Sequence, residues 1–138
     1  MRWAIVRRIG ESHPITLLSK PRGGVSSARN LGIKHAHGDL IALLDQDDAW
    51  YPSHLADMAG PFQEPRTRAL GWVYSDLDEI DETGELLTQS ALRTAGAPHP
   101  KTSISDCLRQ NMFVLPSASL FSRKAFESIG GFDEGLSR

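Results

Sequence analysis

Five consecutive apolar residues, Leu40 to Leu44, deliver three carboxylates, Asp45, Asp47 and Asp48, to one point of the chain. No other stretch constrains fold and chemistry together so tightly. The apolar run shows no alternation, as expected of a parallel strand covered on both faces, and it is assigned to the centre of a sheet. Carboxylates crowded at its end repel one another, so solvent or a divalent cation must neutralise them. A hard cation bridged to substrate phosphates would do so, which makes the stretch a candidate metal-diphosphate site.

The chain has 138 residues, 40% of them hydrophobic, which is sized for one globular domain with a core. Fifteen basic residues against seventeen acidic ones leave a formal net charge of −2, with no bias toward nucleic acid or an acidic membrane surface. Cys107 is the only cysteine, which excludes an intrachain disulfide framework and a cysteine-based zinc site and fits a reducing compartment. No apolar run approaches the roughly 20 residues that span a bilayer. The opening Met-Arg-Trp-Ala-Ile-Val-Arg-Arg also lacks the long apolar core of a signal peptide. The expectation is a cytoplasmic chain, at most peripheral to the inner face of the membrane.

Trp3 to Ile9 read as a weak amphipathic helix and Ile15 to Leu18 as a short strand. Lys20 to Gly24 is a loop by composition. Ser26 or Ser27 is a suitable N-cap for a helix that runs through Leu31 and Ala36 to a stop at Gly38. Gly32 inside that helix costs on the order of 1 kcal/mol against alanine, so close packing is expected there. After the acids, Pro52 suits a first helical turn, and a helix through Leu55 and Met58 is expected to break at Gly60-Pro61. Trp72 to Tyr74 form a strand that again leads to an acid, Asp76. Two strands ending in carboxylates suggest ligand chemistry at their carboxyl edge. Asp76 to Glu85 holds six acids around a turn at Gly84. Ser117 to Ser122 read as the last strand and Arg123 to Ile129 as a short helix.

Blander readings compete at each motif. A calcium loop is set aside, because the fifth and sixth positions from Asp45 are Ala49 and Trp50, where a ligand and a glycine are needed. Asp48 alone would serve as a helix cap ahead of Pro52, but capping needs one acid and three are present. Gly23 to Asn30 lacks the Gly-Lys-Ser/Thr ending of a phosphate loop, and it reads either as a capped helix or as an anion site using Arg29 and the helix N-terminus. His35, His37, His54 and His99 show no paired spacing for metal. Trp50, Trp72 and Phe132 are assigned to the core, with Trp50 close enough to the acids to matter.

The stretch Lys20-Pro21-Arg22-Gly23-Gly24-Val25-Ser26-Ser27-Ala28-Arg29-Asn30-Leu31-Gly32-Ile33, followed by Ala36 to Pro52 with Asp45-Gln46-Asp47-Asp48, resembles family 2 glycosyltransferases of the GT-A type. The resemblance continues through Val73-Tyr74-Ser75-Asp76, Ile80 to Gly84, Ser117 to Arg123 and Ile129 to Glu134. It implies an α/β fold, a partial GT-A (Rossmann-like) three-layer sandwich with a mostly parallel central sheet. It further implies metal-dependent, inverting transfer of a sugar from a nucleotide-diphospho-sugar, a UDP-sugar in the first instance, to an acceptor hydroxyl. By resemblance, Mn²⁺ or Mg²⁺ is held by Asp45 and Asp47 with help from Asp48. Arg29, Asn30, Asp45 and Asp47 contact the donor, and Asp76 faces the sugar or a carbohydrate or lipid-linked acceptor.

Two departures from that family's pattern shape the expectation. Nineteen residues precede Lys20, without the strand and Asp-Asp-Gly-Ser type segment that hold uracil and ribose. The Glu-Asp pair whose aspartate is the usual general base is expected beyond Arg138, so the catalytic base is unknown. Residues 1–138 are thus expected to be a single truncated catalytic domain without its first strands, pairing with a second copy along an exposed sheet edge. A non-catalytic folded remnant is one alternative. A haloacid-dehalogenase-like phosphohydrolase is another, since Asp45-x-Asp47 also describes a nucleophile and its acid/base partner, with Ser75 closing a later strand. The acidic stretch Asp76–Glu85 and the Pro98–Pro100 loop are candidates for acceptor contact.

Overall fold

The computed structural model describes residues 13–65, 69–96, 105 and 115–136. The helix expected over Trp3–Ile9, the Pro98–Pro100 loop, His99 and Cys107 lie outside the described residues. The described residues fall into two compact units, one reaching to His37 and resuming at Gly130, the other between Gly38 and Ile129.

The first unit is built on helix α1 (Gly24–His35). It begins ahead of Ser26 and Ser27, with Gly23 at the N-cap, and Gly24 takes a φ of +80° that glycine adopts at little steric cost. Lys34 and His35 in the last turn complement the helix dipole. The helix stops at Ala36 rather than Gly38, because Ala36 turns to an extended ψ of 152° while its N–H still closes on Gly32 and Ile33. Ile33 is buried. A Cβ on Gly32 would meet nothing within 4 Å, so close packing does not account for this glycine. Ile15–Leu18 belong to no ladder among the described residues.

The second unit carries a three-stranded sheet of β1 (Leu40–Ala42), β2 (Trp72–Tyr74) and a later strand, β5 (Ser119–Ser122). The order is β1-β5-β2 and both ladders are antiparallel, with Ile41 and Trp72 each opposite Phe121. This corrects two expectations, since the described sheet is not parallel and β5, not β1, lies at its centre. β1 and β2 do run in the same direction, but β5 inserts between them as an antiparallel partner to both. The apolar run was misleading because only Ile41 of it is buried, whereas Leu44 is half exposed. Ile41, Leu120, Ala118 and Met58 form the buried apolar centre of this unit.

Helix α2 (His54–Gln63) packs against β2 and buries Met58. It runs through Pro61 instead of breaking there; proline removes the bond to Asp57, but only Phe62 and Gln63 follow, so little helix remains to be lost. Pro52 lies ahead of the Ser53 N-cap, outside the first turn.

The hairpin of β3 (Glu79–Ile80) and β4 (Leu86–Thr88) encloses the turn expected at Gly84, whose φ is +88°. Asp81 closes that turn, its Oδ1 accepting from the Thr83 N–H, the Thr83 hydroxyl and the Glu85 N–H at 2.8, 2.7 and 3.0 Å. The hairpin leads to a single helical turn, α3 (Ala91–Thr94).

A 3₁₀ turn, Pro116–Ala118, feeds β5, which passes directly into α4 (Arg123–Ser128). Ser122 caps α4 by accepting from the Ala125 N–H at 3.1 Å. Helix and sheet meet closely: a Cβ on Gly71 would sit 3.0 Å from that of Ala125. No helix among the described residues is long and apolar enough to cross a membrane.

Candidate functional site

β1 and β2 end at the same edge of the sheet, and the 3₁₀ turn ties the two ends together. The buried Ser117 is the knot: its Oγ accepts the Asp45 N–H at 2.9 Å, and its carbonyl accepts the Trp50 indole N–H at 2.7 Å. Next to it, the Ala118 carbonyl accepts the Ser75 N–H at 2.9 Å. The acids that follow β1 and β2 are therefore placed by one short segment more than forty residues further along the chain.

Asp45–Asp48 form a turn, the Asp48 N–H reaching the Asp45 carbonyl at 3.3 Å. Asp45 is half-buried, whereas Asp47 and Asp48 are exposed. Asp48 does not cap α2, whose N-cap position is Ser53. Among the described residues, no three His, Cys, Asp or Glu side chains are grouped to hold a metal by themselves. The donor set is nevertheless of the right kind. Hard carboxylate oxygens on one exposed turn fit a small divalent cation that takes one or two protein ligands and completes its shell from phosphates and water.

Beside this turn opens a cleft of about 400 Å³ lined by Asp48, Trp50, His54, Asp76 and Asp78 among others. Asp76 is anchored through Oδ1, which accepts the N–H groups of Leu77 and Leu92 at 2.9 and 3.0 Å. Its Oδ2 is buried and accepts no hydrogen bond, with the Arg93 guanidinium 3.6 Å away.

Asp78 is occupied on both oxygens, by the Tyr51 hydroxyl at 2.6 Å and the Ser90 N–H at 2.7 Å. The bond to Asp78, then its charge and partial burial, raise the Tyr51 phenol above its ordinary value; the same hydrogen bond, helped by Ser90, holds Asp78 below the usual carboxylate range. Ser90 is the one described non-glycine residue at positive φ, 51°, in the turn where Ala91 N–H also reaches the Leu77 carbonyl at 2.7 Å.

Trp50 stacks on His54 with centroids 5.1 Å apart and planes 16° from parallel. Burial lowers the His54 imidazole below its usual value, with Asp57 acting weakly in the opposite sense. Trp50 is thus a cleft wall rather than a core residue, and Trp72 is 40% exposed.

Arg29 and Asn30 belong to the other unit. The Asn30 carboxamide is engaged within it: Oδ1 accepts the Phe132 N–H at 3.0 Å, and Nδ2 donates to the Phe132 carbonyl and to Glu134 Oε1, both at 2.9 Å. Arg29 lies 5.8 Å from the Phe132 ring centroid. Hydrogen bonds from Asn30 and Ser27, and the charge of Lys20, hold Glu134 below its usual range. Asn30 therefore braces its own unit, with both amide hydrogens committed to the chain.

Sequence reasoning missed Ser117, Tyr51 and the specific part of Asp78. Only Asp78 carried a signal, as a member of the acidic stretch after β2. Ser117 looks like any strand-edge serine, and its role follows from pairing across 72 residues.

Comparison with known proteins is consistent in direction. The profile of the family described as Glycosyl transferase family 2 matches residues 2–130. The succinoglycan biosynthesis protein ExoW of Rhizobium meliloti is 45% identical over 47 residues, covering 33% of this chain and 15% of that protein. The uncharacterized glycosyltransferase YwdF of Bacillus subtilis is 28% identical over 121 residues, 87% of this chain and 42% of its own length. The chondroitin synthase of Pasteurella multocida is 31% identical over 78 residues, 56% of this chain and 8% of that protein. The chain spans less than half the length of each of these curated relatives.

Proposed function

Because the chain belongs to glycosyl transferase family 2, we propose that it is the sugar-handling part of a metal-dependent, inverting glycosyltransferase that moves a sugar from a UDP-sugar to an acceptor hydroxyl. The observation that carries this reading is the single knot at Ser117, which holds the Asp45–Asp48 turn beside the cleft containing Asp76. In the proposal, Asp45, Asp47 and Asp48 hold Mn²⁺ or Mg²⁺ against the donor diphosphate. When bound, that cation supplies positive charge to the departing diphosphate.

The chain's own groups position the sugar. Ser117 fixes the backbone of Asp45 and the plane of Trp50, so the acids and the cleft wall keep one spacing. Trp50 and His54 offer a flat surface to the carbon-hydrogen face of a sugar. Asp76, in the cleft wall, faces the sugar or the acceptor. The acceptor oxygen then bonds to the anomeric carbon as the bond to the diphosphate breaks on the opposite face, inverting the centre, and its proton passes to a general base outside the described residues. The family match spans Asp45–Asp48, which supports sugar transfer over the phosphohydrolase reading.

A thermal melt of the chain tests the proposal, because a ligand that binds the folded state raises the midpoint by mass action. Mn²⁺ and UDP together should raise it where neither does alone. An unchanged midpoint under all conditions would remove the donor site from the account.

A further inference from the structure

Trp50 and His54 line the cleft together but bring different chemistry to it. Their ring planes lie 16° from parallel with centroids 5.1 Å apart. Parallel rings in contact are separated by about 3.5 Å, so the stack is offset and the imidazole covers only part of the indole. Trp50 has no polar atom left to offer, because its indole N–H is committed to the Ser117 carbonyl at 2.7 Å. His54 is the opposite case. An imidazole bonds in the plane of its ring, through the edge that carries Nδ1 and Nε2, and among the described residues neither nitrogen has a hydrogen-bond partner. Its backbone is fixed, since His54 opens α2 and its N–H closes on the Tyr51 carbonyl at 3.0 Å. Burial lowers the imidazole below its ordinary value, with Asp57 acting weakly in the opposite sense, so at neutral pH the ring edge carries one donor and one acceptor.

From this arrangement we propose that His54 is a specificity-determining residue, whose ring edge hydrogen-bonds one equatorial hydroxyl of a pyranose laid on the uncovered part of Trp50. The inference rests on the proposed sugar-handling role and names the residue that reads the sugar. A sugar on the uncovered indole occupies the same layer as the imidazole, so the two meet edge to edge. Equatorial hydroxyls point outward near the mean plane of the sugar ring and reach that edge, whereas an axial hydroxyl points out of the layer. Other polar side chains of the cleft are engaged: Tyr51 and Asp78 bond each other at 2.6 Å, and Asp76 accepts two backbone N–H groups through Oδ1 and faces Arg93 through Oδ2. A site that hydrogen-bonds a substrate hydroxyl discriminates against an analogue that lacks it, because its own polar group is then left unpaired.

The test uses the whole chain, labelled with ¹⁵N, in metal-free buffer at neutral pH, with the Trp50 indole N–H as readout. Methyl β-glycosides of glucose, galactose and N-acetylglucosamine are titrated, followed by the monodeoxy analogues of whichever binds most tightly. His54→Phe keeps a stacking ring and removes both nitrogens. It should weaken that glycoside about three- to tenfold, the loss expected for one neutral hydrogen bond. His54→Gln, which restores a donor and an acceptor, should recover part of the loss. One deoxy analogue should bind the unaltered chain more weakly than its parent by a similar factor, yet bind His54→Phe as well as the parent does, which identifies the hydroxyl that His54 reads. Ser75→Ala, a second hydroxyl-bearing lining position, should leave that pattern in place.

Undiminished affinity in His54→Phe would overturn the inference, as would deoxy losses that are the same in His54→Phe as in the unaltered chain, or glycosides that leave Trp50 unmoved. The Mn²⁺ and UDP melt reports separately on the donor site and, run on His54→Phe, confirms that the variant is folded. A retained melt shift without the glycoside effects sinks this inference alone, whereas absence of that shift in the unaltered chain sinks the broader reading.

Discussion

The Asn30 carboxamide pairs with the backbone of Phe132 in both directions, accepting its N–H at 3.0 Å and donating to its carbonyl at 2.9 Å. The second amide hydrogen goes to Glu134, also at 2.9 Å. Among the described residues no main-chain ladder joins these segments, and the Asn30 side chain supplies pairing of the kind a strand would otherwise give. Asn30→Ala leaves both Phe132 backbone groups without these partners and should lower stability by about 1–3 kcal/mol in a urea melt. A change confined to UDP binding, with the midpoint intact, would instead show that Asn30 acts at the donor and not as a brace.

Two glycines are predicted to respond in opposite directions. Gly32 lies in α1 with open space where a Cβ would go, so Gly32→Ala should stabilise by about 0.5–1 kcal/mol. Gly71 faces Ala125 at 3.0 Å, and Gly71→Ala should destabilise by forcing α4 away from the sheet. Denaturant midpoints of the two variants check both signs.

The Tyr51–Asp78 pair carries a pH signature. Asp78 is held below its ordinary 3.8, so its contribution is present above that value and is lost as the pH falls through the lower folded-state pKa. Tyr51 is held above its ordinary 10.0, so its contribution is present below that value and is lost as the pH rises through the higher folded-state pKa. The pair is solvent-screened, which keeps the effect small. Tyr51→Phe should bring the Asp78 titration, followed by carboxyl NMR, back toward the ordinary range; an unmoved Asp78 would refute the coupling.

Ser117→Ala removes the acceptor of the Asp45 N–H but keeps the carbonyl that holds Trp50. The expected cost is about 1–3 kcal/mol of stability, together with weaker Mn²⁺-dependent UDP binding as the acidic turn loses its anchor. A variant of ordinary stability that binds UDP unchanged would show that the turn is placed by other contacts.

Much of the local structure was legible because local physics determines it. The apolar residues before Asp45 and the Trp72–Tyr74 run marked two strands, and the acids after each marked a shared edge. Gly84 marked its turn, and Ser117–Ser122 marked the last strand. What the sequence did not reveal depends on pairing between distant segments. β5 enters between β1 and β2 as an antiparallel strand, and an unalternating apolar run does not say which neighbour it will find. Pro61 was read as a stop, but its cost is small so near a helix end. Asn30 was assigned to the donor by resemblance, and its bonds to Phe132 were not legible because that partner lies 102 residues away. Tyr51 and Asp78, joined across 27 residues, were invisible for the same reason.

The most direct test of the central claim is calorimetric titration of UDP into the chain and into Asp47→Ala, each with Mn²⁺ and with chelator. Asp47 is exposed, so its replacement should leave the thermal midpoint in place. The account predicts UDP binding by the unaltered chain only with Mn²⁺, and at least about tenfold weaker binding by Asp47→Ala, the loss expected for one ligand of a phosphate-bridged cation. Equal UDP affinity in the two proteins, or binding that persists unchanged in chelator, would contradict it.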